Sequence, residues 1–293
     1  MKVHLVEAKG LLSSQNGMNL YRGCTHGCIY CDSRSTCYQM KHDFEDVEVK
    51  INAPELLESA LRRKRKKCMI GTGGMGDPYI HLEKELQLTR KCLSLIADYG
   101  FGLAIQTKSA RILRDLDLLL AIHEQSKCVV QMTLTTYDEN LCRILEPNVS
   151  TTEERFEVLK ILRDYGIPTV VWFSPILPFI NDTDENLRGI MDMCLEAKVH
   201  GIICFGMGMT LRDGNRQYFY AKLDEHFPGL KERYIARYGD LYNVGSPRQE
   251  RLLSMFRELC QGYGIIHSVP ECFAYLQAFE ERGPKQMSLP LGI

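Results

Sequence analysis

The chain has no uninterrupted apolar run approaching the ~18–20 residues that a membrane-crossing helix needs, so no membrane partner is expected. Its opening, Met1-Lys2-Val3-His4-Leu5-Val6-Glu7, lacks the basic-then-apolar layout of a secretory signal, and a cytoplasmic location is the expectation. It also has almost no net charge. At a formal −1, any binding of nucleic acid or anionic lipid would have to come from a local patch. There is no low-complexity tract and no repeat beyond a strand–helix unit. Aromatic residues are not depleted, and 45% hydrophobic with 25% charged residues over 293 positions is the composition of a globular protein with one large barrel or two ordinary domains. Disulfide spacing is missing too. Of 12 cysteines, those at 37, 68, 92, 128, 142, 194, 204, 260 and 272 are scattered, several inside apolar segments, as reduced and buried thiols are. Only Cys24, Cys28 and Cys31 cluster.

Short apolar runs alternate with amphipathic segments. Strands are predicted at Met18–Arg22, Cys68–Gly71, Gly102–Thr107, Lys127–Thr135, Pro168–Phe173 and Gly201–Met207. Helices are predicted at Ala53–Arg65, Glu83–Tyr99, Arg111–Glu124, Thr152–Tyr165 and Asp184–Lys198. Asn52 ahead of Pro54, and the run Asn181-Asp182-Thr183-Asp184-Glu185, read as helix starts. Tyr99-Gly100 and Tyr165-Gly166 read as helix stops. Six strands alternating with five helices imply an α/β fold with a parallel sheet. The strands are apolar on both faces, as when helices cover the outside. A partial (β/α)6 barrel of parallel strands is the preferred closure, with a doubly wound open sheet as its rival. From about Thr210 the pattern turns to polar and aromatic helices (Gln217–Phe227, Leu230–Tyr238, Pro247–Gly262 and Glu271–Phe279). The division is therefore an N-terminal segment 1–17, a barrel 18–210, and a helical C-terminal extension 211–293 packed on the barrel, with an irregular, surface-bound tail at Gly283–Ile293.

The cysteines follow the first predicted strand as Cys24-Thr-His-Gly-Cys28-Ile-Tyr-Cys31. Thiolates four and three residues apart, on a loop that Gly23 and Gly27 allow to turn tightly, can converge on three corners of an iron–sulfur cubane. The fourth iron would have no protein ligand, and an open coordination position is what catalysis uses. With Cys37, four thiolates could instead bind a structural Zn²⁺ or an electron-transfer cluster, although such sites usually carry two CxxC knuckles and only one is present. His26, inside the loop, reads as a solvated or supporting imidazole as readily as a reacting one.

The Cx3CxφC pattern, with Tyr30 as the aromatic φ, resembles the radical S-adenosylmethionine (SAM) superfamily. The segments MNLYRGCTHGCIYCDSRS, GTGGMGDPY, TKS, LTTYDE, LEP and SPILPFIND, in that order between about residues 18 and 270, resemble its spore-photoproduct-lyase-like branch. The resemblance implies a [4Fe–4S] cluster on Cys24, Cys28 and Cys31, with SAM on the open iron. It also implies reductive cleavage of SAM to a 5′-deoxyadenosyl radical, and an electron donor such as a flavodoxin or ferredoxin. Gly71-Thr72-Gly73-Gly74-Met75 occupies the place of the family's GGE segment, so Gly73 and Gly74 would admit the methionyl amine. Met75 replaces the acid, and only the backbone part carries over. Lys108, where the third strand ends, could pair with the SAM carboxylate. Thr133 matches a hydroxyl position that the relatives use for SAM, and Arg155 is a second candidate for the carboxylate. Against each stands an ordinary strand residue or ion pair. Ser174-Pro175-Ile176-Leu177-Pro178 could pack on the adenine or simply fill the core. The lyases of this branch carry a hydrogen-donating cysteine after the second strand. No thiol stands in Gly71-Thr72-Gly73-Gly74, which argues against repair of that lesion.

Arg62-Arg63-Lys64-Arg65-Lys66-Lys67 is the one weak argument for nucleic acid. Cations at a helix C-terminus also complement its dipole, and this end faces the bottom of the barrel. Arg212, Tyr218, Tyr220, Tyr242 and His267 could line a substrate side, but aromatics at helical spacing are more often core. Two functions stay open: a radical SAM enzyme with an unidentified substrate, or a non-catalytic iron–sulfur electron carrier or regulatory nucleic-acid-binding protein.

Overall fold

The computed structural model describes residues 2–282; the tail expected at Gly283–Ile293 lies outside the described residues. In chain order the strands are β1 (Val3–Val6), β2 (Gly17–Met18), β3 (Tyr21–Arg22), β4 (Val47–Lys50), β5 (Met69–Thr72), β6 (Gly102–Thr107), β7 (Cys128–Thr133), β8 (Thr169–Trp172), β9 (Gly201–Ile203), β10 (Gly208–Thr210) and β11 (Asn243–Gly245). The helices are α1 (Ala53–Arg63), α2 (Glu83–Leu86), α3 (Leu88–Asp98), α4 (Leu116–Gln125), α5 (Glu139–Leu145), α6 (Thr152–Asp164), α7 (Asp184–Glu196), α8 (Asn215–His226), α9 (Leu230–Tyr238), α10 (Gln249–Tyr263) and α11 (Val269–Gln277).

The main sheet has six parallel strands in the order β2-β5-β6-β7-β8-β9. A doubly wound sheet reverses its strand order at a switch point; here the order is sequential throughout, which selects the partial barrel over its rival. The first predicted strand divides. Gly17–Met18 joins the barrel edge, whereas Tyr21–Arg22 pairs antiparallel with β4 in a separate sheet of order β1-β4-β3. That three-stranded sheet has no counterpart in the expected elements. Nor do α5, or the antiparallel pair of β10 and β11.

Period-2 alternation sorts the strand side chains. The outward ones, Ile70, Leu103, Ile105, Val130, Met132, Val171 and Ile202, join the main core beneath the helices. The lowest inward ones, Met69, Ala104, Val129, Val170 and Ile203, pack with Cys272 and Leu276 of α11, which closes the barrel floor. Two residues farther along each strand the interior is no longer apolar: Gly71, Gln106, Gln131 and Trp172 face a cavity of about 490 Å³.

Helix boundaries follow local chemistry. Thr151 and Glu154 form a reciprocal capping box on α6, and the Thr183 hydroxyl accepts from the Asn186 amide at the start of α7, as capping chemistry favours. Gly100 and Gly166 take the left-handed φ of +66° and +74° expected after helix ends. Three starts or spans differ from the sequence reading. Asn52 makes no cap; its side-chain amide pairs with both backbone groups of Ala8, each at 2.9 Å. The span Glu83–Tyr99 breaks at Gln87, which is left-handed at φ 50°. The span Arg111–Glu124 begins as a 3-10 turn over residues 110–115. Among the described residues, no helix is long and apolar enough to cross a membrane.

Candidate functional site

The Cys24–Cys31 loop lies at the C-terminal mouth of the barrel and is stitched down on both sides. Cys24 N–H donates to the Phe44 carbonyl at 3.1 Å, Ile29 N–H to Leu145 at 3.0 Å, and Asn148 N–H to His26 at 3.1 Å. Gly23 and Gly27 have φ of +88° and +74°. A Cβ on Gly23 would stand 2.6 Å from the Phe44 carbonyl oxygen, so that turn admits glycine only.

Cys28 is buried, Cys24 and Cys31 are partly buried, and the three sulfurs act on one another electrostatically. Burial pushes the Cys24 thiol up to about 12 and the Cys28 thiol well above its ordinary value. Thiols so desolvated hold their protons at neutral pH unless a cationic centre replaces them, which is how metal binding displaces protons from cysteine. Cys31 faces an open cavity of about 830 Å³ at the mouth. Three soft donors, two shielded and one facing that cavity, fit an iron–sulfur cluster reached from the mouth. Cys37 stands apart, exposed on a 3-10 turn with its Sγ 3.2 Å from Arg212 Nη1. Among the described residues no three His, Cys, Asp or Glu side chains gather closely enough to hold a single ion. A cubane asks less, because its corners are separate.

His26 is 3% exposed, so it is not solvated; its Nδ1 lies 3.7 Å from Asp77. Burial pulls its pKa below the ordinary value, against the opposing pull of Asp77. Asp77 is a structural clamp as well as a turn residue. It accepts from Thr107 Oγ1 at 2.8 Å, Lys108 N–H at 2.7 Å and Tyr79 N–H at 2.8 Å. One carboxylate thereby ties the loop after β5 to the end of β6, directly behind the cysteine loop.

Gly73 (φ +96°) presses against β6, where a Cβ would come within 2.0 Å of the Gln106 carbonyl oxygen. Gly74 has nothing within 4 Å of its Cβ position and faces both the mouth and the inner cavity. Of this pair, one glycine serves packing and the other opens space. Lys108 also lines the mouth, its Nζ 5.8 Å from the Tyr30 ring centre and 3.9 Å from Glu146. Thr133 is buried at the end of β7, and its carbonyl accepts from Arg155 Nη1 at 3.0 Å.

Arg155 lies behind the site. It is fully buried, pairs with Glu146, and donates from Nε to the Ser150 carbonyl at 2.8 Å. Glu146, which sequence reasoning does not single out, is the hub. The Tyr30 hydroxyl donates to it, Arg155 pairs with it, and Lys108 approaches it. Burial opposes its ionisation, but Arg155, Lys108 and Tyr30 outweigh that and hold its carboxyl below the usual range. Glu146 belongs to the LEP segment, so a signal exists in the sequence, but nothing there says that its partners would be Tyr30 and Arg155.

At the far rim, Tyr242 lines the mouth and its hydroxyl meets Arg212 Nη2 at 2.5 Å; Arg212 in turn lies 3.6 Å from Asp32. Tyr218 stacks under Arg34, Tyr220 packs among the C-terminal aromatics, and His267 rests on Phe256. Part of the basic run is engaged locally: Arg62 pairs with Glu58, Lys64 donates to Asn16 at 2.6 Å, and Lys67 lies over the Phe101 ring.

The sequence model of the Radical SAM superfamily matches residues 18–194. An uncharacterized protein of Mycobacterium tuberculosis is 30% identical over 249 residues, covering 82% of this chain and 71% of its own length. One of Methanocaldococcus jannaschii is 34% identical over 169 residues, covering 57% of this chain and 62% of its own. Among solved structures, spore photoproduct lyase complexed with dinucleoside spore photoproduct aligns with a TM-score of 0.63 at 15% identity, over 89% of this chain and 79% of that one. That likeness shows the fold. With the cysteine loop at the mouth of a six-stranded parallel barrel and more than half of the sequence matched, the chain belongs to the radical SAM superfamily and is an enzyme of that type.

Proposed function

We propose that Cys24, Cys28 and Cys31 hold a [4Fe–4S] cluster whose open iron takes SAM at the barrel mouth. The observation that carries this is the thiol set itself: two shielded sulfurs and a third facing an 830 Å³ cavity that Gly74 and Lys108 also line. When bound, this pair supplies reductive cleavage of SAM to methionine and a 5′-deoxyadenosyl radical, which abstracts hydrogen from a substrate. The chain's own residues orient and enclose. Gly74 leaves its backbone open to a ligand amine. Lys108 offers an ammonium to a carboxylate, and Thr133 sits beside it on the next strand. Tyr30, fixed by Glu146, walls the cavity and excludes water from the reacting region. Arg155 supports this arrangement through Glu146 rather than by touching SAM. The electron would come from a small carrier protein such as a flavodoxin or ferredoxin, in the cytoplasm.

The test is anaerobic reconstitution, reduction with dithionite, addition of SAM, and chromatography for 5′-deoxyadenosine and methionine. Both products are expected, and they disappear with iron content when Cys28 is replaced by Ala. Full activity in Cys24→Ala, Cys28→Ala or Cys31→Ala would overturn the assignment. Zinc bound in place of iron would do the same.

A further inference from the structure

The barrel floor is built and held independently of the mouth. Helix α11 lies across it, packing Cys272 and Leu276 on the lowest inward side chains, while its Phe273, Leu276 and Gln277 wall the inner cavity from below. Residues 278–282 then run to the turn between α4 and β7, where Arg282 N–H donates to the Gln125 carbonyl at 2.9 Å. Two cations hold these pieces. Lys127, 1% exposed, donates to the Tyr275 and Ala278 carbonyls at 2.9 and 3.3 Å, which the end of α11 leaves without helical partners, and pairs with Glu280 at 2.8 Å. Arg282 donates to the His123 carbonyl at 3.0 Å and to Glu280 at 3.0 Å. Glu280 therefore serves both cations at once.

Each cation also faces a histidine. Arg282 Nη1 lies 2.7 Å from His123 Nε2. A guanidinium can only donate, so this contact exists only while that ring nitrogen carries no proton. His200 stacks on the Tyr275 ring with centroids 3.5 Å apart, and Lys127 Nζ lies 3.6 Å from the centre of the same ring. His200 Nε2 is buried with no hydrogen-bond partner among the described residues. A proton there would place a charge near Lys127 and gain no acceptor. Burial pulls both histidines below their ordinary pKa, with Arg282 adding to the pull on His123 and Lys127 to that on His200. Glu280 opposes at both, and backbone groups of Cys128 and Gly166 oppose at His123. Lys67, Asp98, Glu124 and Glu281 line the outer recess beside His123 and Arg282, but among the described residues none of them pairs with either.

We propose that His123 and His200 make α11 and residues 278–282 an acid-released plug: protonation sets like charges against Arg282 and Lys127, the segment lifts, and the inner cavity opens to water from below. With both imidazoles charged, four cations would share the one carboxylate of Glu280, and burial keeps water from screening them. The device sits at the end of the barrel away from the cysteines, and nothing in it depends on the cluster. Because the closed state lowers both histidine values, closure is fully present above the ordinary value of about 6.5 and is lost as pH falls below it toward the folded values. In that window each histidine lowers the closed-to-open ratio by up to about tenfold per pH unit.

Trp172 reports on closure, because Phe273 of α11 meets it edge-on at 6.0 Å and it is the only tryptophan in the chain. The full-length protein, with and without its reconstituted cluster, is taken from about pH 8 to about pH 5. Trp172 emission is followed together with hydrogen–deuterium exchange of residues 269–282, corrected for intrinsic rates. A red shift and exchange faster by at least about tenfold in this segment are expected, while the amides of β6 and β7 keep their protection. The double variant His123→Gln with His200→Phe, uncharged at every pH, should stay closed in acid. Glu280→Gln changes only a half-exposed side chain and removes the shared carboxylate, so it should open at higher pH than the wild type. The plug is refuted by corrected exchange that does not change with pH, by a double variant that opens as the wild type does, or by a Glu280→Gln protein that opens at no higher pH. Opening that coincides with loss of protection in β6 and β7 would refute it too, since acid would then be unfolding the whole barrel.

Discussion

Replacing Glu146 with Gln keeps the shape of the side chain and removes its charge, which strands a buried cation. The carboxylate and the Arg155 guanidinium are both essentially inaccessible. Arg155 keeps hydrogen bonds to Ser150 and Thr133 but loses its counter-charge. Leaving one partner of a buried pair uncompensated costs about 3–5 kcal/mol. For a chain of this size that lowers Tm by roughly 2–3 °C per kcal/mol, or roughly 6–15 °C in total. Urea unfolding of the metal-free chain, followed by Trp172 emission, measures this without interference from cluster loss. Arg155→Met alone should cost a similar amount, and the double variant should recover much of the loss, because the penalty is the orphaned charge rather than the missing contact. Acid gives the second check. The folded pKa of Glu146 is lowered, so its contribution is present above the ordinary carboxylate range and fades as pH falls through the folded value. The stability gap between wild type and Glu146→Gln should therefore close in acid. A gap below about 1 kcal/mol at neutral pH, or strictly additive single variants, would refute the view that this buried pair supports the site.

Two further outcomes concern the mouth. Gly73→Ala should cost at least about 2 kcal/mol, since it combines strain at positive φ with overpacking against the Gln106 carbonyl. Gly74→Ala should be neutral within about 0.5 kcal/mol yet weaken SAM binding, and comparable urea midpoints for the two variants would contradict this division. Lys108→Met should weaken SAM by about ten- to a hundredfold in anaerobic equilibrium dialysis, the value of a charge-assisted contact, with little loss of iron. Unchanged affinity would remove Lys108 from the SAM contacts.

What the sequence discloses and what it withholds divide along sequence separation. The six barrel strands are readable because their outward residues are continuously apolar, and the Gly100 and Gly166 stops because helix ends have local chemistry. The strand order is not readable: identical strand–helix spacing serves a barrel and a doubly wound sheet alike, and only pairing settles which forms. Strands β1 and β4 escape because they stand outside the strand–helix alternation and meet across more than 40 positions, while β3 is read only as the end of the first barrel strand, its antiparallel pairing with β4 being invisible in sequence. The same limit shapes the reading of the site. The three cysteines lie within eight positions of one another, so their spacing alone proclaims a shared centre. Asp77 and Glu146 do their work at a distance, the first on Thr107 and Lys108, the second on Tyr30 across 116 positions. A carboxylate that holds a buried arginine looks, in one dimension, like any glutamate before a proline. Arg155 shows the cost of judging by charge alone: a cation near the right strand suggests a ligand contact, yet its guanidinium is committed to Glu146 and two backbone carbonyls. Lys108 differs because its position, at the C-terminal end of a barrel strand, already fixes which way it faces. Direction along a strand is legible in sequence; the partner that satisfies a buried charge is not.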